Sequence, residues 1–127
     1  MREKSNLPGW RGVMARRLID ASAYSWMGLK AGYQQEEAFR IQLWLALFLI
    51  PTAIWLAGSQ VELVLLIGSV VLVLIVEILN SAVEAVVDRI SLEEHELLGR
   101  AKDYGSTAVI LSMGLFLMTW FCLLVVD

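Results

Sequence analysis

Residues 61–90 read VELVLLIGSVVLVLIVEILNSAVEAVVDRI. From Leu63 to Val76 the run carries no charge, and at Glu77 acids begin. As one helix these 30 residues span ~45 Å at 1.5 Å per residue. A bilayer's hydrocarbon is only ~30 Å thick. The segment is therefore a membrane span with an overshoot of about two to three turns, and that overshoot holds Glu77, Asn80, Ser81, Glu84 and Asp88. At ~100° per residue Glu77, Ser81, Glu84 and Asp88 fall within a ~60° sector, with Asn80 at its edge. Ile78, Leu79, Val83, Val86 and Val87 cover much of the remaining surface.

Two further blocks flank this one. IQLWLALFLIPTAIWLA, Ile41–Ala57, is uncharged, with Gln42 and Thr52 its only clearly polar side chains. With Ala38–Arg40 added it reaches span length, and Pro51 is expected to kink it. STAVILSMGLFLMTWFCLLVV, Ser106–Val126, has no charge either. One such run fits a buried soluble helix; three in 127 residues do not. The chain is 58% hydrophobic and 18% charged, against ~45–50% and ~25% in soluble domains. That balance excludes a disordered tail. A single cysteine, Cys122, excludes an internal disulfide scaffold. A net charge of −3 excludes a nucleic-acid partner.

All ten Lys and Arg residues precede Ile41 or fall from Arg89 to Lys102, at the end of the second span and between it and the third. By the positive-inside rule the N-terminus and the 89–102 segment face the cytoplasm and the C-terminus lies outside. Trp55 and Trp120 then stand toward the outer interface. No early apolar run precedes a small-residue cleavage site, so no removable signal peptide is expected. Upstream, Trp10, Met14, Leu18, Ala21 and Leu29 recur on one broad face, with Arg16, Arg17 and Lys30 off it. Residues 8–34 read as an amphipathic helix on the inner membrane surface; the alternative is an ordinary helix packed on the bundle. The expected architecture is all-α. One membrane domain, 1–127, comprises a surface helix (8–34), spans at 38–57, 61–90 and 104–126, and a cytoplasmic loop over 91–102.

Glu77 lies ~24 Å from the start of its helix, at or inside the hydrocarbon boundary. An ionisable group at that depth marks a functional site, and a carboxylate there suits the removal of a proton from an alcohol. Glu84, ~10 Å further along the axis, is too distant to share a small cation with Glu77. A metal at Glu84 needs another ligand, for which Glu36 and Glu37 are available. Helix–helix glue is the competing explanation of the stripe. It suits Asn80 and Ser81 better than two glutamates, because buried carboxylates require cations, protons or metals. In the loop, Ser91 and Glu94 match a capping box, and Glu93, Glu94, His95 and Glu96 also fit a solvated charge run. Lys102 fits either a snorkelling anchor or a group that neutralises phosphate oxygens. No P-loop, GxGxxG fingerprint, kinase catalytic loop, Cys/His zinc cluster or serine nucleophile elbow is present.

VEILNSAVEAVVDRI (Val76–Ile90), HELLGRAKDYGSTAV (His95–Val109) and AYSWMGLKAGYQQEEAFR (Ala23–Arg40) resemble the small integral-membrane diacylglycerol kinases of bacteria. The motif E-x-x-N-[ST]-A-[VI]-E-x-x-x-D with a downstream A-K-D carries the resemblance, which extends over roughly residues 16 to 126. It implies transfer of the γ-phosphoryl group of ATP to diacylglycerol, yielding phosphatidate, in the bacterial inner membrane. It also implies Mg²⁺ and a homotrimeric bundle whose active sites are shared between protomers. Under it Glu77 is the general base, with Asn80 supporting, and Glu84 and Glu36 are metal ligands. It assigns ATP contacts to Arg17, Tyr24, Glu36, Glu84, Glu93, Glu94, His95, Lys102 and Asp103. Lipid contacts fall to Arg17, Ser22, Trp26, Lys30, Glu77 and Ser106. Glu37 matches a position that need not be acidic. Undecaprenol kinases share the catalytic motif and form the alternative within the family; the HEL-x-GRAKD-x-GS run looks more like the diacylglycerol branch. Two other classes stand further off. A proton or ion relay requires polar residues along a whole span, yet the outer half of each span is almost entirely apolar. A structural membrane oligomer predicts no nucleotide binding.

Overall fold

A computed structural model describes residues 9–90 and 95–126. Within them the chain forms four helices and no strand: α1 (Gly9–Gln35), α2 (Glu37–Leu56), α3 (Gln60–Ile90) and α4 (Glu96–Leu124). The last three are long and apolar enough to cross a membrane. Residue 8, where the surface helix is expected to begin, and the Ser91–Glu94 capping box lie outside the described residues.

α2, α3 and α4 pack side by side and antiparallel, with α3 in the middle. Ala53 of α2 and Leu66 of α3 are fully buried, as are Ala46 and Val70 to within a few per cent. Small side chains here bring helix backbones close, which matters where surrounding lipid is as apolar as the helices. Trp120 of α4 donates its indole N–H to the Leu66 carbonyl at 3.2 Å, so this aromatic, expected at the outer interface, reaches inward between helices. Trp55 is 83% exposed. α2 runs unbroken through Pro51. The turn into α3 is closed by Ser59 and Glu62. The Ser59 hydroxyl accepts the Glu62 N–H at 3.2 Å, and the Glu62 carboxylate accepts the Gly58 N–H at 2.8 Å.

α1 meets the bundle only through its last turn. Gly32 is its one buried residue. A Cβ there would lie 2.8 Å from Ile78 Cδ1 and 2.9 Å from Phe39 Cδ1, so glycine lets the helix close against α2 and α3. The corner falls at Glu36, whose extended backbone (φ −114°, ψ 105°) separates α1 from α2. Its N–H still bonds the Gly32 carbonyl at 2.9 Å. The rest of α1 is largely exposed. Besides the expected apolar stripe, Val13, Ile19 and Met27 stand exposed on its other sides, so the one-sidedness is weaker than the stripe alone implies.

α4 departs from expectation. The stretch through Lys102, expected as loop, is helical from Glu96. Arg100 pairs with Glu96 one turn back at 2.9 Å, an i,i+4 contact that supports a polar helical turn. Glu96–Lys102 thus forms the first two turns of α4, the third of the helices long and apolar enough to cross a membrane.

Candidate active site

The polar stripe of α3 becomes steadily wetter along the helix. Glu77 and Ser81 are buried, Glu84 is half-buried and Asp88 is exposed. Each position meets a different neighbour. From α2, the Gln42 side-chain amide donates to Glu77 Oε2 at 3.2 Å. One turn on, Asn80 donates to Glu84 Oε1 at 3.4 Å, while its amide oxygen rests against Gly105 of α4. A Cβ at 105 would collide with that oxygen, so glycine admits the asparagine. At the end of the stripe Lys102 Nζ of α4 meets Asp88 Oδ1 at 2.6 Å. This hydrogen bond, opposed by partial desolvation, holds the Lys102 ammonium above the ordinary lysine range; the charges of Asp88 and Glu84 add to the effect. Lys102 lies outside the uncharged part of α4.

The Gln42–Glu77 bond fixes the register of α2 against α3. Six residues back from Gln42 is Glu36, ~9 Å along the axis. Seven residues on from Glu77 is Glu84, ~10 Å in the same direction. Antiparallel packing therefore sets Glu36 and Glu84 at one level, a turn or two beyond Glu77. Among the described residues no three His, Cys, Asp or Glu side chains gather as a complete metal site. Mg²⁺ needs no such cage, since it is commonly held by one or two carboxylates together with substrate phosphates and water. The hard oxygens of Glu36 and Glu84 fit that requirement.

The other sequence-derived positions are less closely assembled. Arg17, Ser22, Tyr24, Trp26 and Lys30 are exposed along α1. Ser22 bonds its own helix at Leu18 O, 2.8 Å, and lies ~15 Å up the axis from Gly32. His95 caps α4 without a side-chain hydrogen bond. Asp103 and Ser106 line a shallow groove with Thr107 and Ile110. Glu93 and Glu94 lie outside the described residues. Asp88 belongs to the stripe legible in the sequence, but its pairing with Lys102 and the part of Gln42 in the site emerge only from the packing of the helices. The available signal for Gln42 was a carboxamide in an otherwise apolar span, since intramembrane polar groups face protein rather than lipid.

A family model for prokaryotic diacylglycerol kinase matches residues 23–124. The chain belongs to the prokaryotic diacylglycerol kinase family. Its relatives include the diacylglycerol kinase of Escherichia coli (strain K12), 53% identical over 108 residues, covering 85% of this chain and 88% of the relative. That of Haemophilus influenzae is 48% identical over 103 residues, covering 81% and 87%. That of Pseudomonas aeruginosa is 45% identical over 105 residues, covering 83% and 85%. The family match takes in Glu36, Glu77, Asn80, Glu84, Lys102 and Ser106 and leaves Arg17 and Ser22 outside it.

Proposed function

We propose that this chain is a diacylglycerol kinase, passing the γ-phosphoryl group of ATP to the free hydroxyl of diacylglycerol at the cytoplasmic face of the bacterial inner membrane. The observation that carries this reading is Glu77, a buried carboxylate held by Gln42 where the apolar run of α3 ends. A lipid alcohol keeps its chains in hydrocarbon and presents its hydroxyl only at that depth. The Glu77 carboxylate takes the hydroxyl proton as the oxygen attacks the γ-phosphorus and ADP leaves with the bridging oxygen. The nucleotide stays in water, so its partners belong further out. We assign that role to Glu36, Glu84, Lys102 and Asp103, in keeping with the level of Glu36 and Glu84 beyond Glu77 and the Lys102–Asp88 contact at the exposed end of the stripe. Phosphoryl transfer depends on positioning and charge neutralisation more than on covalent chemistry, and this set of residues supplies both. Mg²⁺ would be held by Glu36 and Glu84 and would offset phosphate charge when bound.

α1 in this reading lies on the inner surface, where Arg17, Ser22, Trp26 and Lys30 meet the lipid substrate and Arg17 and Tyr24 meet the nucleotide. In a homotrimer with shared active sites, these side chains would serve a site formed between protomers. The test uses purified protein in mixed micelles with Mg·ATP and dioleoylglycerol. Phosphatidate formation is expected, at a rate well above that with undecaprenol. No turnover with either alcohol would refute the reading, and preference for undecaprenol would move the chain to the other branch of the family.

Lys102 gives a second expectation here. Lys102→Ala should raise the KM for Mg·ATP about tenfold, the effect of ~1.4 kcal/mol of lost contact to phosphate. Unchanged kinetics would return Lys102 to the role of an anchor paired with Asp88.

A further inference from the structure

The Gln42 side chain has two polar ends in different circumstances. Its nitrogen donates to Glu77 Oε2 at 3.2 Å. Its oxygen is buried and has no hydrogen-bond partner among the described residues. The cavity beside it, about 90 Å³ in volume, is otherwise lined by apolar side chains including Ala46, Val73 and Phe116. A buried amide oxygen left unpaired costs free energy, so a group that uses it at some stage is expected.

That group is Glu77 itself. An ionised carboxylate only accepts hydrogen bonds, whereas a protonated one donates. A carboxamide carries a donor and an acceptor on a terminal torsion that is broad and roughly two-fold. Turned over, Gln42 would present its oxygen to the O–H of protonated Glu77 from the same position. We infer that Gln42 is a positioning residue for phosphoryl transfer, aiming the Glu77 carboxylate at the lipid hydroxyl and supporting it both before and after it takes the proton. In the step itself the alcohol O–H bond breaks and its proton goes to Glu77. The alcohol oxygen bonds the γ-phosphorus, and the bond to the ADP oxygen breaks. The proton then returns to water. Gln42 gains and loses no atom; it exchanges the donated hydrogen bond for an accepted one.

The inference rests on Glu77 being the base, and the experiment separates the two claims. Gln42→Met keeps the length of the side chain and removes both polar ends. It should lower kcat about tenfold to a hundredfold through misplacement of the base, with the KM for Mg·ATP unchanged. Gln42→Glu, which can share one proton with Glu77, should restore a substantial part of the loss. In a Glu77→Gln background, Gln42→Met should produce no further fall in the residual rate, followed with radiolabelled ATP. A wild-type kcat in Gln42→Met, or the same fractional loss in both backgrounds, would overturn the role of Gln42 while leaving Glu77 in place. A Glu77→Gln protein with full kcat would remove the base and this inference with it.

Discussion

Glu77→Gln should reduce kcat by about 10²- to 10⁴-fold, the range a positioned general base contributes, and leave the KM for Mg·ATP within about twofold. The substitution preserves shape. Gln42 still finds an oxygen at position 77 to receive its N–H, now 3.2 Å from the wild-type carboxylate, so the α2–α3 contact survives. What is lost is the ability to hold a proton. Because one buried charge disappears, the variant should be no less stable than the wild type. Thermal unfolding in the same micelles checks this, so loss of rate is not confused with loss of fold. Steady-state kinetics with both substrates varied give the decisive result. A raised KM for ATP with kcat unchanged would put Glu77 among the nucleotide contacts and leave the reaction without a base.

The features that made the fold legible are those of sequence local to one helix. Uncharged runs of span length identify α2, α3 and α4, and the Glu77–Ser81–Glu84–Asp88 stripe follows from the helical repeat alone. The stripe's gradient from buried to exposed also follows, since helix length fixes depth. Contacts between helices were not legible. Gln42 with Glu77, Asn80 with Gly105 and Lys102 with Asp88 each depend on register, which no single helix's periodicity records. The start of α4 was missed for a different reason. HELLGRAKD is charged enough to read as a loop, and only the Arg100–Glu96 pairing reveals that its charges lie one turn apart. The family motif supplied roles that the residues alone left open, above all the choice of Glu36 over Glu37 as partner to Glu84.

That choice is open to a direct test. Glu84→Gln and Glu36→Gln should each raise the Mg²⁺ concentration for half-maximal activity, together with the KM for Mg·ATP. The rise should be about a hundredfold for Glu84, the upper end of what loss of even an outer partner of a metal ligand costs. Glu84→Gln still offers Asn80 an oxygen in place of the one accepting at 3.4 Å, and the Lys102–Asp88 pair at 2.6 Å does not involve it. The deficit should therefore come from the missing negative charge and be partly relieved by excess Mg²⁺, whereas the Lys102→Ala deficit should not. Glu37, exposed in the first turn of α2, serves as the control, and Glu37→Gln should match the wild type. If Glu36 and Glu84 act on one ion, the double variant should lose less than the product of the single losses, because groups in one network are not additive. Full multiplication of the two effects, or a Glu37→Gln protein as impaired as Glu36→Gln, would show that the two carboxylates do not share a metal. Glu36 would then be only the corner residue between α1 and α2.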